Sequence, residues 1–413
     1  MKKNITRLTK DISKHNYLAF VWHGIFLSLA SNFMDVHTII PAMLLKAGAN
    51  SILLGLATTI MIGGSSLMQI FFARSLSNKS HKKQPLLIAI NLRVMALFMI
   101  SFLLLKSELI PNYFLILILF IIITIFSFSG SYASISYIDI IGKSILNDRR
   151  KDFFSFKQII GSIGVFFSAL FVRHLLRIYS YPLNYSVLFL GAGLFLFIAS
   201  LGFWMIKEII VPIKTKIDFK TFLKIVPKEI QKNRNLKNYL LLINTLGLTM
   251  SFIPFMILFA KHNFGLNNKM IGNILFYKIS GMLLTSIILY KKSKTFEYKK
   301  LLRISLLLGF SLPILALIFK GNYSLYQLLF FIAGIFLTSF NVARNGVLVE
   351  ISNNENRAIY TGISGAGSIL PTIFPLISGI FINFLGYETT FVILSIIIGI
   401  GLFFINGLNC KKI

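Results

Sequence analysis

Cysteine is nearly absent: Cys410 is the only one in 413 residues, so no intrachain disulfide can form and a thiolate metal site is disfavoured. Acidic residues are scarce as well, 13 against 42 lysines and arginines, which leaves a formal charge of +29. Charge of either sign is thin at 13%, while 56% of the chain is apolar and the mean hydropathy is +0.78. A chain this apolar cannot cover itself with polar surface in water, and it belongs to the membrane class. A soluble domain of charge +29 would point to nucleic acid. Here the basic residues sit in short loops between apolar runs of roughly twenty residues, so no nucleic-acid partner is expected. The sequence has no HEXXH, no Walker loop, no histidine pair at metal spacing and no polar stretch above about thirty residues. A polytopic enzyme or receptor is therefore disfavoured, and no cofactor or metal is expected. The first apolar run starts near Tyr17 and continues past Pro41, longer than a signal-peptide core and without a small-residue cleavage pattern; it reads as a retained span.

What the chain has in quantity is spans. Runs long enough to cross a ~30 Å core occur near 17–40, 50–72, 85–105, 110–138, 155–178, 183–206, 238–260, 268–290, 301–319, 323–349, 358–382 and 388–408, twelve in all. Lysines and arginines on the side of the termini number 30 against 7 in the opposite loops, so both termini are expected in the cytoplasm of a cell (plasma or inner) membrane protein. The longest linker, 207–237, separates an N-terminal six-helix bundle (1–206) from a C-terminal one (238–413). Within it Lys216, Lys220, Lys224, Lys228 and Lys232 recur every four residues beside Phe219, Phe222, Leu223 and Val226, a pattern that fits a basic helix on an anionic leaflet and equally a solvated linker.

The halves echo each other. "IPAMLL" (40–45) in span one returns as "IPFMIL" (253–258) in span seven. Asp139 before Arg149, Arg150 and Lys151 at the end of span four is matched by Glu350 before Arg357 at the end of span ten.

Twelve spans, a long central loop and two related halves resemble the major facilitator superfamily of secondary transporters. The superfamily's loop between spans two and three looks like Gly-x-Leu-x-Asp-Arg-x-Gly-Arg-Arg. Here the aligned residues are Arg74, Leu76, Asn78, Lys79, His81, Lys82 and Lys83, with both glycines and the aspartate missing. Tyr137-x-Asp139-Ile140 followed by Arg149-Arg150-Lys151 is similar to the acidic and basic cluster that many members carry after span four. The resemblance implies an all-α fold of two six-helix bundles with pseudo-two-fold symmetry, a central cavity lined by spans one, four, seven and ten, and a loop aspartate that pairs with basic groups and a helix N-terminus. With Asn78 in its place the charge term is lost. Asn78, Lys79, Lys82, Lys83, Arg93, Asp139, Arg150, Glu350 and Arg357 then form the candidate gating loop and charge network. For the lysines, orientation alone is the rival explanation.

A charge inside a span is costly and usually faces a cavity or a partner. Asp35, Arg93, Lys278, Arg344 and, nearer the interface, Asp139 qualify. Ser28, Ser31, Asn32, Asp35 and Thr38 are spaced by three or four residues, which predicts a polar stripe on one helical face of span one. Similar stripes are Thr124, Ser127, Ser131 and Ser134 in span four, and Thr338, Asn341, Arg344 and Asn345 in span ten. Asp35 is the candidate for proton coupling, against a salt bridge or a wet interfacial position; His23 and His37 could share proton duty. Asn32, Asn341, Lys278 and Arg344 are candidate substrate-binding residues, the two cations for an anionic group, with an Asp35–Lys278 pair as the rival. Arg93 is expected to pair with Asp139. Small residues in spans five (Gly161, Gly164, Ser168) and eleven (Gly362, Gly365, Ser368) let helices slide closely. The expectation is a secondary active transporter of a small solute, coupled to protons and working as a monomer in the lipid bilayer by alternating access. An uncoupled facilitator is the alternative.

Overall fold

A computed structural model describes residues 7–64, 68, 71–72, 76, 79–210, 227–291, 297–352, 360, 363–365 and 367–408. The described residues are helical and loop, with no strand among them. Two compact units are present: Met1–Asp35 with Leu67–Phe219, and Val36–Ser66 with Lys220–Ile413. Asn78, Arg357 and the lysine-rich 211–226 segment lie outside the described residues, as does the Arg150 side chain.

The first unit is built on α1 (Lys10–Ser31), α4 (Lys83–Leu105), α5 (Asn112–Ser144), α6 (Asn147–Ile178) and α7 (Leu183–Met205). Helix α1 starts where the Thr9 hydroxyl accepts from the Ile12 amide, and α7 packs on both α1 and α4. The second unit holds α2 (Ile39–Lys46), α3 (Ser51–Thr58), α8 (Arg234–Leu246), α9 (Leu248–Phe264), α10 (Asn268–Lys291), α11 (Tyr298–Ile318), α12 (Tyr323–Ile351) and α13 (Ile369–Asn406). Asn50, Asn233 and Asn322 cap α3, α8 and α12 with their side-chain oxygens. Among the described residues nine helices are long and apolar enough to cross a membrane. Helix α13 has 38 residues, about 57 Å at about 1.5 Å per residue, too long for one ~30 Å crossing. It is divided at Gly386, whose φ of 80° belongs to the left-handed region that glycine adopts without a Cβ clash. The last two predicted spans lie on either side of that residue.

One sequence expectation is overturned. Span one is not a continuous helix: it stops at Ser31, runs through turns from Asn32 to Thr38, and resumes as α2 at Ile39. The spacing of Ser28, Ser31, Asn32, Asp35 and Thr38 therefore does not place them on one helical face. Short polar side chains that bond nearby backbone compete with the helical ladder, and here they win. The Ser28 and Ser31 hydroxyls donate back to the carbonyls of Ile25 and Ser28, at 2.6 and 2.7 Å. Span seven, the repeat mate, does not break in this way: at Gly247, between α8 and α9, φ and ψ stay helical at −62° and −21°. The echoing segments "IPAMLL" and "IPFMIL" fall on α2 and α9, which pack together, and Lys261 donates to the Leu45 carbonyl at 2.8 Å.

Candidate functional site

The densest polar cluster in the first unit ties helix ends together. Helix α4 begins at Lys83 with no side-chain cap of its own. Its first amides are instead taken by Glu208, which follows α7: the Glu208 carboxylate accepts from the Lys82 amide at 2.6 Å and the Lys83 amide at 3.1 Å. That carboxylate is 7% exposed, and the His81 ring stands 4.0 Å away. The reverse contact comes from the Lys83 ammonium, which donates to the Trp204 and Ile206 carbonyls at 2.7 Å each, groups that the end of α7 leaves orphaned. Each helix end thus supplies the charge that the other end's dipole favours.

Around this clamp the neighbouring ends are fastened. Asp139, on the last part of α5, is held by Lys82 at 3.0 Å and by Lys143, one turn on, at 2.5 Å. Asn16 of α1 accepts from the Lys207 amide at 2.8 Å and donates to the Lys207 carbonyl at 2.9 Å. The Ser13 hydroxyl accepts from the Leu146 amide at 3.0 Å. Lys79 is exposed and reaches the Tyr132 hydroxyl at 3.4 Å. Beside the clamp a cavity of about 770 Å³ opens between α4 and α5; its walls include Ile88 and Leu92, exposed apolar side chains that face outward from the bundle. A solute held there would lie against lipid.

Arg93 does not pair with Asp139. Its guanidinium carbon sits 4.3 Å from the centre of the Phe126 ring on α5, and its buried Nε has no hydrogen-bond partner. Asp139 sits at the end of α5 among lysines, which takes the role expected of Arg93. Asn32 is 2% exposed and donates to the Val165 carbonyl of α6 at 2.5 Å, so its amide is engaged in joining α1 to α6. Asp35 is partly buried on the turn between α1 and α2. The span-four hydroxyls also turn inward on their own helix, Thr124 to the Phe120 carbonyl and Ser131 to that of Ser127. Gly164 of α6 approaches Ser28 of α1, and the Ser168 hydroxyl donates to the Leu29 carbonyl at 2.6 Å.

In the second unit Lys278 is 1% exposed on α10, the most deeply buried cation in the chain's described part. Helices α10 and α12 pack backbone to backbone there: a Cβ on Gly334 would strike the Lys278 carbonyl, and one on Gly281 the Phe331 carbonyl. Arg344 and Asn341 lie partly buried on α12, with the guanidinium 5.7 Å from the Phe340 ring. Lys278 and Arg344 thus occupy adjoining helices. Glu350 is partly buried near the end of α12. No group of three or more His, Cys, Asp or Glu residues that could hold a metal ion occurs among the described residues.

Residues 239–408 match the family model described as Major Facilitator Superfamily. Solved structures agree along nearly the whole chain. A nucleoside transporter, NupG, is 14% identical, with 96% of this chain and 100% of that one covered and a TM-score of 0.66. A D-xylose-proton symporter is 14% identical, with 97% of each covered and a TM-score of 0.66. Residues 239–408 carry the superfamily's sequence pattern, and the chain shares the fold of these transporters along nearly its whole length. A POT family transporter in complex with a thioalcohol-conjugated peptide is 11% identical, with 94% of each chain covered and a TM-score of 0.68. No curated protein sequence matches the chain. Here the carboxylate at a helix N-terminus, which the resemblance assigned to the loop aspartate, is Glu208, just after α7.

Two residues were missed in the sequence. Glu208 carried a faint signal, the lone acid of "MIKEII" after span six. Lys157 of α6 was passed over as part of the neighbouring basic run, although it stands four residues before the span's Gly161. Its ammonium donates to the Tyr137 hydroxyl of α5 at 2.7 Å and lies 4.8 Å from the centre of that ring.

Proposed function

We propose that the chain is a proton-coupled secondary transporter of a small solute, working as a monomer by alternating access in the cell membrane, with both termini cytoplasmic. The observation that carries this reading is the placement of Asp35: a carboxyl within the first span, on the non-helical turn from Asn32 to Thr38. Irregular backbone at membrane depth is tolerated where protein buries it or water reaches it, and a carboxyl in such a place gains from being able to take up a proton. The fold shared with a D-xylose-proton symporter and a nucleoside transporter supports a small solute as cargo.

The test uses Asp35→Asn, which keeps shape but cannot release a proton. Purified protein is screened against solutes by thermal shift, and a binder is then added to vesicles holding a pH-sensitive dye. Wild type is expected to move protons with the solute, whereas the Asn variant exchanges solute across the membrane without accumulation and without a dye response. Proton-driven accumulation that survives in the Asn variant removes Asp35 from coupling. Solute flux with no proton movement in wild type makes the protein a facilitator.

A further inference from the structure

Two of the first unit's helical cations, Arg93 and Lys157, are each given room by a glycine on a neighbouring helix. A Cβ on Gly24 of α1 would come within 3.3 Å of the Lys157 Cγ, so the lysine stem lies across α1 at its one open position. A Cβ on Gly130 of α5 would come within 3.3 Å of the Arg93 Nε. Among the described residues no carboxylate pairs with either. Lys157 has the Tyr137 hydroxyl and ring; Arg93 has the Phe126 ring. His23 lies within electrostatic reach of both, buried and stacked on Phe203 at 3.9 Å, with Nδ1 on the Ala199 carbonyl at 3.2 Å. It adds no negative charge.

A cation kept in a span without a counter-ion is costly, and an aromatic face offsets only part of that cost. The arrangement is that of a binding group awaiting its charge. The Tyr137 oxygen accepts from Lys157, which leaves the phenol O–H to donate onward, so the pair presents an ammonium and a hydroxyl together. Lys157 stays partly exposed, so its head is reachable.

Resting on the transporter reading, we propose that Lys157 and Tyr137 bind the anionic group, carboxylate or phosphate, of the transported solute, with Arg93 adding to the field behind them. The substrate class is then small organic or inorganic anions. A lysine acts as a point charge and accepts either group, whereas the tyrosine hydroxyl supplies direction.

Proteoliposomes are given labelled succinate, inorganic phosphate, glucose 6-phosphate, glucose and uridine at fixed ionic strength. The expected result is saturable uptake of at least one anion and none of glucose or uridine; succinate against the two phosphates tells which group is preferred. Lys157→Met should raise KM for that anion by about tenfold or more, Lys157→Arg less, and Tyr137→Phe several-fold with kcat changed little. Thermal melting of each variant reports folding, and if Lys157→Met does not fold, Lys157→Arg and Tyr137→Phe carry the test. Saturable uptake of glucose or uridine with KM unmoved in these variants overturns the anion site and leaves the transporter reading standing. Folded protein that takes up none of the five counts against the transporter reading, and the anion site falls with it.

Discussion

Replacing Glu208 by glutamine should loosen the first unit by an amount that can be set in advance. The carboxylate uses both oxygens on the amides that open α4, at 2.6 and 3.1 Å, and it is 7% exposed. Glutamine keeps one acceptor, turns a donor towards the other amide and removes the charge from the helix N-terminus. Hydrogen bonds to a charged group contribute about 1.5–3 kcal/mol, and a charge at a partly buried helix end up to about 2 kcal/mol. These overlap, so Glu208→Gln should cost about 2 kcal/mol and Glu208→Ala about 3 kcal/mol. Lys83→Met, which strips the donor from the Trp204 and Ile206 carbonyls, should cost about 2 kcal/mol by the same reasoning. Because both side chains hold the same two helix ends, loss of one slackens the other, and the double variant should be less destabilised than the sum by about 1 kcal/mol or more. The assay is the melting temperature of detergent-solubilised protein, read as the monodisperse fraction after heating, with Tm falling by several degrees in each single variant. An unchanged Tm in Glu208→Gln, or strict additivity in the cycle, would refute the mutual clamp.

Two further outcomes are expected. A valine at Gly334 drives Cβ into the Lys278 carbonyl, so α10 and α12 must separate at a cost of about 3 kcal/mol or more, seen as loss of monodisperse protein; valine at Gly321, whose Cβ position is open, should be tolerated. For topology, cysteine at Ser80 should resist an impermeant thiol reagent in intact cells while one at Asn112 reacts, following the basic asymmetry of the loops; labelling at 80 would invert the orientation. Asn112 is exposed, whereas Asn184 on the same predicted side is fully buried and would be a poor reporter.

The spans were legible because an apolar run of about twenty residues has few other uses, and helices α4 to α7 lie where those runs do. The break in span one was not, since Ser, Asn and Asp at spacings of three and four fit a polar stripe and a helix-ending cluster alike. Lys82 and Asp139 were both marked as network residues from their positions in the loop and at the end of span four, but their pairing at 3.0 Å depends on how α4 and α5 lean. Glu208 capping α4 joins residues 125 and 126 apart, which no local pattern announces. Lys157 hid in a basic run because sequence spacing does not reveal the gap that Gly24 leaves on another helix.

The membrane-insertion machinery meets the interrupted span first, and it meets a weak signal. Helix α1 carries Lys10, Asp11, Lys14, Asn16 and His23 and is not among the helices apolar and long enough to cross. Helix α2 has eight residues, about 12 Å of rise, less than half of a ~30 Å core. Segments of this kind partition poorly on their own, since each charged residue weighs against entry. The polar groups of α1 find their partners only later in synthesis, when the Met205 and Lys207 backbone groups arrive to meet His15 and Asn16. Helix α4, largely apolar apart from its first turn, Asn91 and Arg93, and preceded by Lys79 and Lys82, is a strong start-transfer element. Its basic flank favours a cytoplasmic start for α4, and the opening span is drawn into the bilayer with its neighbours' help.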